Sequence, residues 1–259
     1  MNFETLAIHE SDGVAHIELN RPDKANAING TMWEELRSAF DWLSSSRARV
    51  GVLSARGKHF TSGIDLDLLV TMKSEITSLP EGRRQERLKE AIGELQQAIT
   101  AAESCTKPIL AAIHGACIGG GVDLVTACDM RYATKDARFS VKEVDLAIVA
   151  DLGTLQRLPG LIGEGLAREL AFTGREFDGD EAHAMKLVNQ VFADQDGLMT
   201  FVLKTAADIA SKSPLTIRGI KDTLNYSRDH SVAEGLSYVS SKNSAILFSP
   251  DLTDRKSVV

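Results

Sequence analysis

Apolar and polar positions alternate at the start of the chain. TLAIH and VAHIEL each switch with period two and Ser11-Asp12-Gly13 supplies a turn between them, so residues 5–19 predict a β-hairpin that Arg21-Pro22 stops. The period then lengthens. Met32, Leu36, Phe40 and Leu43 fall on one face of a helix predicted over residues 31–43. Residues 49–53 suit a short strand buried on both faces, which runs into the loop ARGKHFTSGIDLDLL with Gly57 and Gly63. Ser78, Pro80 and Glu81 carry helix-start chemistry for a long charged segment through Ala102, striped by Leu88, Ile92, Leu95 and Ile99. The stretch 66–80 before it suits a mobile loop and a helix equally.

Lys107-Pro108 opens a second buried strand, residues 109–113, which breaks at His114-Gly115 and passes through Gly119-Gly120-Gly121 into apolar residues at helical spacing. Two strands that end in glycine loops and are joined by a long helix-bearing connection predict a right-handed crossover between parallel neighbours. Both loops then lie at the same strand ends, where ligands bind in open α/β sheets. Further on, the pattern predicts strands at 129–133 and 188–192, extended chain at 138–141, one helix over 160–172 and another over 180–187. Helices at 198–211, 214–226 and 231–248 follow, so an α/β core of residues 1–195 precedes a helical region, 196–259.

Composition narrows the function. With 43% hydrophobic and 25% charged residues the chain is ordinary globular material, and its net charge of −7 argues against a general nucleic-acid or anionic-membrane binder. A small ligand fits better, and a local basic pocket for a phosphorylated one is compatible with that charge. Cys105, Cys117 and Cys128 lack zinc-like spacing and predict buried free thiols in a reducing compartment. Acidic residues near the start, no apolar run approaching the ~20 residues of a membrane span, and a final KSVV lead to a cytoplasmic expectation with no membrane partner.

The triple glycine is the most chemical stretch. Glycines let a ligand approach the backbone, and a helix start leaves amides without intrahelical acceptors, a setting that stabilises an oxygen becoming anionic. Asp123 lies two residues past the last glycine.

Four stretches, NRPDKANAI, HFTSGIDL, HGACIGGGVDLVTACD and LQRLPGLIG, in this order, resemble the crotonase (enoyl-CoA hydratase/isomerase) superfamily over nearly the whole chain. That resemblance implies a spiral of strand-strand-helix turns with a helical C-terminal region that mediates trimers, often dimers of trimers. It also implies an acyl-coenzyme A substrate whose thioester carbonyl sits between two backbone amides, here those of Ile64 and Gly120, within a substrate-binding set of Ser62, Gly63, Ile64, Asp65, Leu66 and Gly120. Coenzyme A enters as part of the substrate; no metal or redox cofactor is implied. Arg21, Lys24 and Lys58 flank these loops and are candidates for its phosphates, with the backbone of residues 24–27 on the adenine side.

The acids select a branch. The hydratase branch carries two glutamates where this chain has Asp123 and Glu143, and usually glycine where it has Asp151. VKEVDLAIVADLGTLQRLP instead resembles the Δ3,5-Δ2,4-dienoyl-CoA isomerase branch, in which the matching positions hold Asp, Glu and Asp. Moving a 3,5-diene into 2,4 conjugation takes a proton from C2 and returns one at C6, a span that two carboxyl groups divide more easily than one. The expected roles are Glu143 at C2, Asp151 at C6 and Asp123 tuning both. A hydratase using Asp123 and Glu143, and a catalytically silent assembly or RNA-binding member, are the competing readings; intact acids and negative charge speak against the last. Taken singly, each residue also has a structural role open to it: Asp151 as the N-cap of a helix at 152–158, Glu143 paired with Lys142 or Arg157, Asp65 as a helix cap, and His114 in a structural hydrogen bond.

Overall fold

The alternating start forms a hairpin, β1 (Leu6–Ser11) and β2 (Val14–Leu19), turned at Asp12 and Gly13, both at positive φ. The computed structural model describes residues 3–252, so the terminal KSVV lies outside the described residues. α1 (Gly30–Ser45) starts where the Asn29 side chain accepts from the Met32 amide at 3.0 Å, and it buries Met32, Trp33, Leu36, Phe40 and Leu43. β3 (Val50–Ala55) is buried at every position. The segment that the pattern left open is a helix, α2 (Leu66–Ser78), and it buries no residue. α3 (Glu81–Ser104) carries the crossover to β4 (Ile109–Ile113), which pairs parallel with β3, so both glycine loops leave the same end of the sheet.

From here the chain winds between two sheets. β5 (Ala116–Ile118) lies in the smaller sheet, α4 (Gly120–Thr126) returns the chain, β6 (Met130–Thr134) joins the larger sheet, and β7 (Arg138–Ser140) joins the smaller again. A 3₁₀ turn, Lys142–Leu146, leads to α5 (Thr154–Ile162) and α6 (Glu164–Thr173). β8 (Phe177–Asp178), α7 (Gly179–Ala184) and β9 (Gln190–Phe192) complete the spiral. The larger sheet runs β1-β2-β3-β4-β6-β9 and the smaller β5-β7-β8. β5 was expected as turn and 160–172 as one helix. Three residues are too few to show a period, and Gly163 at φ +86° breaks the helix between α5 and α6.

The larger sheet is covered on both faces, because successive side chains of a strand point opposite ways. Leu53 faces α1, while Val50 and Val52 join Leu110, Ala112 and Tyr132 against Leu198, Val202 and Ala206 of α8 (Gln195–Ala210). α9 (Pro214–Arg228) and α10 (Val232–Ile246) pack mainly on each other. Buried Lys221 ties α9 to the core, donating to the carbonyls of Ala102 and Lys107 at 3.2 and 3.1 Å and to the Asp129 carboxylate at 2.8 Å. This is an α/β spiral of strand-strand-helix turns with C-terminal helices, the architecture that the resemblance implied.

Candidate active site

The two glycine loops are stitched together by backbone pairing. Thr61 bridges Cys117 and Ile28 bridges Ile64, both in parallel sense. In the second bridge the Ile28 amide donates to the Gly63 carbonyl at 2.8 Å and the Asp65 amide to the Ile28 carbonyl at 3.0 Å. The Ile64 amide is thereby turned away, and it meets no acceptor among the described residues. Gly120 opens α4, so its amide has no intrahelical acceptor and finds none elsewhere among them. A Cβ built on Gly120 would lie 3.8 Å from the Ile64 nitrogen. Two free amides are neighbours, as an oxyanion site requires.

The loop residues around them have firm reasons to be there. Gly63 sits at φ +94°, and any Cβ on it would come within 2.8 Å of the Ile118 carbonyl oxygen. The Thr61 hydroxyl donates to the Asn26 carbonyl at 2.6 Å and accepts from the Gly63 amide at 3.1 Å. Asn26, buried and at positive φ, accepts from the Arg21 amide and donates its side-chain N–H groups to the carbonyls of Arg56 and His59. These two residues hold the first loop in place and were missed as site residues; a hydroxyl two positions before Gly63 was the available signal.

Asp65 is the N-cap of α2, accepting from the Asp67 amide, and it pairs with Arg21 at 3.0 Å. Arg21 is thus held by Asp65 and is partly exposed, while Lys24 and Lys58 are exposed. Ser62 donates its amide to the Ala25 carbonyl at 3.0 Å, and Leu66 is 57% exposed beside the loop. His114 donates to the Gly57 carbonyl at 2.9 Å, a structural bond as expected.

Two acids stand at the triple glycine, and a third lies within range of their charge. Asp123 is 1% exposed in the first turn of α4. One of its oxygens accepts from the Thr154 amide at 2.6 Å, and the other is buried without a partner among the described residues. Glu143 comes from the 3₁₀ turn, with Oε1 3.2 Å from a Cβ position on Gly119 and Oε2 buried and unpartnered. Burial, then the negative charges of Asp123 and Asp151, push its carboxyl up to about 7. Burial also raises Asp123 and Asp151, and the charge of Asp151 adds to the rise at Asp123. Asp151 precedes α5, where its backbone carbonyl accepts from Gln96 at 2.6 Å.

The structural roles open to these acids are not taken. Gly153, not Asp151, is the N-cap of α5, and the Thr154 amide that a cap would serve is bound by Asp123. Lys142 pairs with Asp145 at 2.7 Å and Arg157 with Glu103 at 2.8 Å, leaving Glu143 to neither. Two hollows adjoin the site. One, of about 450 Å³, lies between α1, α2 and α3 with Trp33, Leu68, Met72, Ile76 and Leu95 in its lining, and the Trp33 ring stands 3.5 Å from a Cβ position on Gly120. The other, of about 750 Å³, includes Asp151. Among the described residues no group of three or more His, Cys, Asp or Glu is placed to hold a metal ion, and no helix is long and apolar enough to cross a membrane. The three cysteines are free and buried.

Residues 9–250 match the family described as Enoyl-CoA hydratase/isomerase. A protein of Arabidopsis thaliana named "Delta(3,5)-Delta(2,4)-dienoyl-CoA isomerase, peroxisomal" is 48% identical, over 98% of this chain and 93% of its own length. A Homo sapiens protein named "Delta(3,5)-Delta(2,4)-dienoyl-CoA isomerase, mitochondrial" is 46% identical over 97% of this chain and 77% of its own. The crystal structure of an enoyl-CoA hydratase from Bacillus anthracis superposes with a TM-score of 0.87 at 28% identity, covering 96% of this chain and 93% of that one. These relatives overturn the cytoplasmic expectation, since their names place them in peroxisomes and mitochondria. Free thiols report the redox state of a compartment and not its address. Likeness in residues and likeness in backbone reach the same answer by separate routes: the chain belongs to the enoyl-CoA hydratase/isomerase family and is an enzyme.

Proposed function

We propose that this enzyme converts 3,5-dienoyl-CoA thioesters to their 2,4-dienoyl isomers. The observation that carries the reading is the third carboxyl: Asp151 lies three residues before Thr154, whose amide Asp123 binds at 2.6 Å, in a loop that borders an open cleft. Hydration needs a water held between two acids, whereas a shift from C2 to C6 needs acids spread along the chain. Relatives named dienoyl-CoA isomerase support the same reading.

In this reading Glu143 removes a C2 proton, the amides of Ile64 and Gly120 hold the enolate oxygen, and Asp151 delivers a proton to C6. Each oxyanion donor is worth roughly 2.7–4 kcal/mol in comparable sites. Burial holds Glu143 high in pKa and the charge of Asp123 adds to it. Ser62, Gly63, Asp65 and Leu66 line the approach of the thioester. Within a turnover one carboxyl group takes a proton and another gives one, and coenzyme A is part of the substrate. The assembly that accompanies this reading is a trimer or a dimer of trimers, supported by the exposed apolar residues Leu224, Val232, Leu236 and Phe248 on and beside the last two helices.

The test is a paired assay. Purified protein given a 3,5-dienoyl-CoA produces the ultraviolet band of the 2,4-diene and hydrates a 2-enoyl-CoA only slowly. Asp151→Asn abolishes the band while acyl-CoA binding persists. Hydration without isomerisation makes the chain a hydratase acting through Asp123 and Glu143.

A further inference from the structure

Under the isomerase reading, on which the inference rests, one turnover leaves the enzyme changed. The C2–H bond breaks with its proton going to Glu143, the double bonds move from C3 and C5 to C2 and C4, and a C6–H bond forms with a proton from Asp151. Substrate and product are isomers, so the chain ends each turnover with Glu143 protonated and Asp151 ionised. The proton is on the wrong acid for the next round.

The two acids differ in their access to water. Asp151 lines the cleft of about 750 Å³ between α3, α5 and the end of α9, together with Gln96, Thr100, Gln156, Arg157 and Arg228. Gln96, Thr100 and Gln156 are exposed, so the cleft opens to bulk solvent. It is ample for a file of waters, each taking about 30 Å³. Its charged walls are already engaged: Glu103 accepts from both Arg157 and Arg228, and Asp229 pairs with Arg228 at 3.0 Å. Guanidinium groups do not give up protons in proteins, which leaves water as the donor on this side. Glu143 is absent from the lining of this cleft, and its free oxygen is buried. Asp123, the buried acid beside Glu143, has one oxygen held by the Thr154 amide and the other without a partner among the described residues.

We infer that Asp151 recovers its proton from solvent through the cleft walled by Gln96, Thr100 and Gln156, and not from Glu143 through Asp123. Each turnover therefore places a solvent hydrogen on C6.

Isotope placement over many turnovers tests this. A 3,5-dienoyl-CoA carrying deuterium at both C2 positions, turned over in ordinary water, yields product with protium at C6; unlabelled substrate in heavy water yields product with deuterium there, read by mass and proton spectra. Deuterium from C2 arriving at C6 overturns the inference while leaving the isomerase reading standing. No 2,4-diene from either substrate overturns both. Thr100→Phe, a change on the exposed side of α3, narrows the cleft: kcat falls severalfold with kcat/KM unchanged, because the return follows product formation. An unchanged kcat in that variant counts against the route.

Discussion

The Asp123 carboxylate accepts a hydrogen bond from the Thr154 amide at 2.6 Å. This bond joins the first turn of α4 to the first turn of α5, and so steadies the loop that carries Asp151 three residues before Thr154. Asp123 is thus both a cap and a charge beside Glu143. Asp123→Asn keeps an acceptor for the amide and removes the charge: thermal stability stays close to the parent, and the Glu143 pKa falls because a negative neighbour no longer opposes its ionisation. Asp123→Ala loses the cap and leaves a buried amide unpaired, costing roughly 1–3 kcal/mol in urea unfolding.

The pH dependence follows from the number of protons the Glu143 and Asp151 pair must hold. With both protonated there is no base for C2, and with neither there is no proton for C6, so only the one-proton pair is active. In the isomerase reading kcat/KM therefore follows a bell, with one limb near neutrality, where burial and the charge of Asp123 push Glu143 to about 7. Burial raises Asp151 as well, so the two limbs belong to the coupled pair and not to one residue each. A profile that is flat through neutrality would count against this pair.

Gly121 has no room for a side chain. A Cβ there would come 2.5 Å from Thr61 Cγ2 and 3.3 Å from Cys117 Sγ. Gly121→Ala is expected to destabilise by roughly 1–3 kcal/mol through overpacking. Thr61→Ser deletes the obstructing methyl and keeps the hydroxyl that bonds Asn26 and Gly63. Adding it to Gly121→Ala recovers most of the loss, a non-additivity that a double-mutant cycle in denaturant measures.

Gly120 separates stability from chemistry. A Cβ there meets the Trp33 ring at 3.5 Å, an ordinary contact, so Gly120→Ala folds with near-parent stability. The same methyl stands 3.8 Å from the Ile64 nitrogen, where the oxyanion needs space. Turnover falls by about 10²-fold or more, the scale of a lost oxyanion donor. Circular dichroism and steady-state kinetics on one preparation check both halves.

The residues alone determined what depends on short range and on motif. Period-two alternation placed the hairpin, helical spacing placed α1 and the C-terminal helices, and two buried strands ending in glycine loops implied a parallel crossover with both loops at one end. The motifs carried the family, and the resemblance of VKEVDLAIVADLGTLQRLP to the dienoyl-CoA isomerase branch singled out Asp123, Glu143 and Asp151 as candidate acids before their surroundings were known. Tertiary structure decided the rest. β5 and β8 are strands only because partners pair with them, being too short to carry a period of their own. Asp123 caps a helix 31 residues away, and Arg21 is bound by an aspartate 44 residues away. Local patterning acts within a few turns of chain, while capping, ion pairing and the burial that lifts Glu143 depend on which distant segments the spiral lays side by side.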